Sequence, residues 1–101
     1  MAAHIGIELL EEIDLDPSGG GETIHVNVGD ALPAFDDQRY PLLRLVDPYG
    51  DTIFSSYQMV GLLAELQARL TETGDSSLAV AIAAGERCQA KSRTWLVFIG
   101  D

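Results

Sequence analysis

From Ile5 to Asp16 apolar residues fall on alternate positions, and a period of two fits ten of the twelve. A helix needs apolar residues three and four apart, so this run is committed to strand, with Ile5, Ile7, Leu9, Ile13 and Leu15 on one face. Glu8, Glu12, Asp14 and Asp16 fall on the other, and the exchange at Leu10-Glu11 predicts a bulge or bend. Thr23 to Val28 alternates again, Ile24, Val26 and Val28 against Thr23, His25 and Asn27. The glycine-rich stretch between the two runs is turn chemistry, so they are expected to pair as an antiparallel hairpin.

Residues 29–41 hold two prolines and no period, which predicts a long connection anchored by Leu32 and Phe35. Leu42–Val46 and Thr52–Phe54 then read as short central strands. Between them Asp47, Pro48 and Gly50 occupy positions that a type I turn prefers, with Gly50 taking positive φ. The turn accounts for neither Tyr49 nor Asp51; Asp51 either bonds backbone amides at the hairpin end or is a contact residue. Ser55 and Gln58 form a capping box, and Phe54 and Met59 a hydrophobic staple, so a helix starts here. Its core stripe is Met59, Leu62, Leu63, Leu66 and Leu70, with Glu65 and Arg69 as an i,i+4 pair and Gly74 as the stop. Residues 76–91 read as a second helix capped by Ser76 or Ser77, with Arg87 and Lys91 at its C-terminal end, although Leu78–Ile82 also alternates by size. Thr94–Ile99 is an apolar β-branched and aromatic run, expected to be a buried strand. The order β-β-β-β-α-α-β predicts one α+β domain: a mixed or mainly antiparallel five-stranded sheet, both helices on one face and the acidic strand face uncovered.

The 101 residues carry a net charge of −10, unevenly distributed. Residues 1–38 contain nine acids and no lysine or arginine, whereas residues 39–101 hold seven acids and all six bases. That balance argues against nucleic acid and anionic membrane as partners, both of which need a basic footprint. No basic leader precedes an apolar core at the N-terminus, and no stretch approaches the roughly eighteen apolar residues of a membrane span, so a cytoplasmic location is expected. Cys88 is the single cysteine, which rules out an intrachain disulfide or a thiolate metal cage and reads as a small buried hydrophobe.

Asp14, Asp16, Ser18 and Gly19 match positions one, three, five and six of a calcium-binding loop. His25 stands where the bidentate glutamate is needed and the flanks are strands, so no metal site or cofactor is assigned. His25 lies within cross-strand reach of Glu8, Glu12 or Asp14, which is first a charge pair. Cys88 has no histidine close in sequence to activate it. No phosphate loop, dinucleotide fingerprint or nucleophile elbow is present.

Tyr40-Pro41-Leu42-Leu43, Asp47-Pro48-Tyr49-Gly50-Asp51-Thr52, Gln58 and Phe98-Ile99-Gly100-Asp101 form a pattern that resembles a group of small bacterial proteins without an assigned activity. The resemblance runs from about Arg39 to the end, leaves the acidic hairpin unmatched and brings no catalytic residues with it. The leading functional expectation is therefore a non-enzymatic acidic module of inhibitor or immunity type. It would meet a basic protein through Glu8, Glu12, Asp14, Asp16, Asp36 and Asp37, with Tyr49 and Asp51 as further contacts. The alternative is a small-molecule or metal-dependent enzyme using carboxylates with His25 or with Arg39 and Arg44; a homodimer through an exposed sheet edge is a third reading.

Overall fold

The computed structural model describes residues 4–11 and 22–100. Glu12, Asp14 and Asp16, the calcium-loop-like run and Asp101 lie outside them. Four strands, β1 (Ile5–Glu11), β2 (Glu22–Ile24), β3 (Asp51–Ser55) and β4 (Thr94–Gly100), and two helices, α1 (Met59–Thr73) and α2 (Ser77–Ala90), make an α+β fold. The sheet is antiparallel throughout, in the order β2-β1-β4-β3.

Alternation places Ile5, Ile7 and Leu9 of β1 on the same side as Leu96 and Phe98 of β4 and Phe54 of β3, all buried. Phe54 and Phe98 meet edge to face, ring centroids 5.7 Å apart and planes at 89°. Helix α2 lies on β1 and β4, and α1 packs beside α2. The predicted stripe is the one buried, with Met59, Leu62 and Leu66 fully enclosed and Leu63 and Leu70 packed against the core. The other sheet face, where no helix lies among the described residues, carries Glu8 as expected. It also carries Leu10, Ile53, Trp95, Val97 and Ile99, so it is more apolar than acidic.

The capping box forms, Gln58 Oε1 accepting from Ser55 N at 2.8 Å, but one 3₁₀ turn (Ser56–Gln58) precedes α1. Gly74 ends α1 at φ +67°, donating its N–H to Leu70 O at 2.7 Å. Residues 77–90 are helical as read, and the cap comes from Asp75, whose Oδ1 accepts from Ser77 N at 2.9 Å and Ser77 Oγ at 2.7 Å.

Several expectations are corrected. Among the described residues the sheet has four strands, because Leu42–Val46 forms a 3₁₀ turn (Leu43–Leu45) instead of a fifth. Glu65 of α1 takes the amides that a ladder would use, accepting from Leu42 N and Leu43 N, each at 3.0 Å. A 3₁₀ turn stacks residues three apart, and Leu43 and Val46 are accordingly the buried pair. Asp47–Gly50 thus leads from this turn into β3, which is an edge strand and not a central one. The Thr23–Val28 strand shortens to Glu22–Ile24, since Val26 N bonds back to Ile24 O at 2.9 Å and Asn27 Oδ1 takes over the amide of Ile5 at 3.0 Å. No bulge interrupts the described part of β1, whose pairing with β4 runs unbroken to Glu11–Thr94.

Candidate functional site

The aperiodic connection is held by side chains of α1. Arg69 Nε donates to Ala31 O at 2.6 Å and its Nη2 to Leu32 O at 3.3 Å. Tyr40 is buried and donates its hydroxyl to Glu72 Oε2 at 2.5 Å, while the Arg39 and Arg69 guanidinium carbons lie 5.4 and 5.5 Å from the centre of its ring. Arg39 also forks onto Asp37, Nε to Oδ1 at 3.0 Å and Nη2 to Oδ2 at 2.8 Å, and reaches Glu72. The Tyr40 hydroxyl and then the guanidinium of Arg39 hold the Glu72 carboxyl below its usual range, and the bond to Glu72 raises the Tyr40 phenol. The fork from Arg39 lowers the Asp37 carboxyl. The predicted Glu65–Arg69 pair is replaced by these longer-range partners, because both side chains face the connection and supply the bonds its loop backbone lacks.

Thus braced, the connection and the Asp47–Gly50 turn enclose a cavity of about 440 Å³. Ile5, Leu32, Pro33, Val46 and Pro48 give it an apolar lining, and Phe35 and Tyr49 line it too. Both residues are 80% exposed, so Phe35 is no core anchor; Leu32 packs against the core as expected, and buried Ala31 and Tyr40 anchor the connection with it. At the turn, Gly50 N meets Asp47 O at 3.4 Å and Asp47 Oδ1 accepts from Tyr49 N at 2.8 Å. Gly50 does not adopt positive φ. The glycine that the turn requires is Gly100 of β4: its N–H donates to Gly50 O at 2.9 Å, and a Cβ there would stand 2.5 Å from Asp47 O and Pro48 O. The Asp47–Thr52 and Phe98–Gly100 parts of the sequence pattern therefore meet through backbone.

Arg44 lines the cavity with its charge uncommitted. Arg39, Arg69, Arg87 and Lys91 are all held by carboxylates, whereas Arg44 has no ion pair among the described residues. Its Nη1 donates to Phe35 O at 3.3 Å, and its Nε is buried without a partner. An orphaned buried donor costs on the order of 1–3 kcal/mol. Sequence reading pointed to Arg44 only as an alternative; the available signal was a guanidinium set inside the apolar run Leu42–Val46.

The predicted contact residues divide. Asp36, Tyr49 and Asp51 are exposed; Tyr49 lines the cavity, Asp36 follows Phe35 in the chain, and Asp51 opens β3 opposite Ile99. Asp37 is consumed by Arg39. Glu8 sits apart, on β1 opposite Thr23 and Val97. The acidic N-terminal segment is partly neutralised: Lys91 Nζ reaches Glu11 Oε2 at 2.9 Å, and Arg87 forks onto Glu22 at 2.5 and 2.8 Å, lowering that carboxyl.

The two settings of the enzyme alternative lie in different places. His25 borders a separate depression of about 530 Å³ with His4, Arg39 is engaged by Asp37 and Glu72, and Arg44 lines the first cavity. Burial pushes the Cys88 thiol up to about 11, and its Sγ bonds Thr94 O at 3.3 Å, which suits packing and not nucleophilic attack. Among the described residues no group of three or more histidine, cysteine, aspartate or glutamate side chains is placed to hold a metal ion, and no helix is long and apolar enough to cross a membrane. No protein-family model matches the chain, and no curated protein or solved structure does so.

Proposed function

We propose that this protein is a non-enzymatic binding module, of inhibitor or immunity type, that captures a basic protein partner. The observation that supports the reading is the pairing of charges. Four of the six bases are spent on internal carboxylates, while Asp36 and Asp51 are exposed and close in sequence to Phe35 and Tyr49, which are themselves uncovered. Aromatic anchors with a charged rim are the usual composition of a protein interface. Uncompensated carboxylates draw in a basic partner over a longer range than the apolar contacts act.

The test is a pull-down from lysate with the wild-type chain and with Asp36→Lys/Asp51→Lys. Both positions are exposed, so the variant is expected to keep its thermal midpoint. The reading requires a basic protein in the wild-type eluate and its loss from the variant eluate. Equal capture by both chains rejects it.

A further inference from the structure

We infer that the cavity beside Arg44 is a binding site for a small apolar carboxylate, a terminal –COO⁻ on an aromatic or branched aliphatic group. This inference shares Phe35 and Tyr49 with the basic-partner reading but turns on Arg44, which that reading does not use, so the Arg44 variant tests it separately.

Three observations carry the assignment. The first is size and lining: about 440 Å³ falls within the range of small-molecule sites, and Ile5, Leu32, Pro33, Val46 and Pro48 offer it an apolar wall. The second is the pair of rings. Phe35 and Tyr49 line the same cavity yet remain 80% exposed, flat surfaces against which an apolar body can lie. The third is Arg44. In a chain of net charge −10, this guanidinium escapes every carboxylate among the described residues and makes one long bond, 3.3 Å, to Phe35 O. Asp47, the nearest acid in sequence, has one oxygen turned to Tyr49 N.

A guanidinium has five N–H donors in a planar fork that matches a carboxylate bidentately. In Arg44 only Nη1 has a protein acceptor, and Nε is buried without one. Because Nε is shut away from solvent, a carboxylate in the cavity takes the terminal nitrogens of this fork, and its apolar group takes the walls and rings. One charge and one apolar body make the fitting ligand a monoanion. A polyanion would bring more charge than the single cation can match, and a neutral hydrocarbon would leave the guanidinium unserved.

A free acid and the C-terminal residue of a peptide share this chemistry, and the experiment separates them. ¹⁵N-resolved NMR titrations would use phenylacetate, phenylacetamide, acetyl-glycyl-phenylalanine and the amide of that dipeptide, with wild-type protein and with Arg44→Gln. The expected result is saturable shifts confined to the loops around Phe35, Arg44 and Tyr49 with at least one of the two acids. The matching amide and the Arg44→Gln variant should bind at least tenfold more weakly. Binding by phenylacetate supports a free acid; binding by the dipeptide acid alone supports a chain end in the same site. No shifts with either acid, equal binding of acid and amide, or equal binding by a folded Arg44→Gln overturns the inference. Should Arg44→Gln fail to fold, Arg44→Lys keeps the charge but loses the fork. Undiminished binding by Arg44→Lys refutes bidentate recognition.

Discussion

At the scale of single residues, Gly100 shows how a distant contact fixes an identity. The Asp47–Gly50 turn lies so close over β4 that any side chain at 100 would strike carbonyl groups that cannot yield. Gly100→Ala is therefore expected to lower unfolding free energy by about 1–3 kcal/mol in denaturant titration, as overpacking does. The conservative Gly85→Ala contrasts with it. The atom met there is Leu63 Cδ2 at 2.8 Å, the end of a mobile side chain, and alanine is the better helix former. Its stability should lie well above that of Gly100→Ala. Cys88, Gly74 and the capping box were legible from sequence because each obeys a local rule. Gly100 was not, since its neighbour lies some fifty residues away in the chain.

At the scale of elements, period carried the reading and its failures have one cause. The hairpin partners and the first helix announce themselves by a repeat of two or of 3.6, the second helix by its cap, alanines and terminal bases and the last strand by an unbroken apolar run, and the structure contains them. Leu42–Val46 carries no such repeat, and its fate was decided by Glu65, which takes two of its amides. Phe35, in an aperiodic segment, had no phase from which to infer burial. The Glu65–Arg69 pair was a sound local guess displaced by non-local bonds.

Those bonds make the connection sensitive to acid. Glu72 and Asp37 both titrate below their ordinary values of 4.5 and 3.8 when folded, so their contribution is complete above those values. It is lost as pH falls through the depressed folded values. Tyr40 has the opposite sign: its phenol is raised above 10.0, so its contribution is present below that pH and disappears as pH rises through the folded value. Tyr40→Phe removes the leading cause of the shift at Glu72. Carboxyl-resolved NMR titration should find Glu72 closer to 4.5 in the variant, with Glu22, tied to Arg87 elsewhere, unmoved.

For the whole molecule, the charge map differs from the sequence map. Two carboxylates of the strongly acidic first third are bridged by bases from the last, Arg87 to Glu22 and Lys91 to Glu11, so part of its charge is offset. Of the candidate contact residues only Tyr49 lines the cavity, where it joins Phe35 and Arg44 from separate stretches of chain, a grouping no sequence pattern announced. In the proposed function, exposed surplus carboxylates recruit a basic partner. Association rates of the captured partner, recorded at ionic strengths on either side of that at which the Debye length is about 10 Å, test this. The wild-type chain should show a steep fall with salt and Asp36→Lys/Asp51→Lys a slower, nearly flat response. A wild-type rate indifferent to salt, or one matched by the variant at every ionic strength, would contradict it.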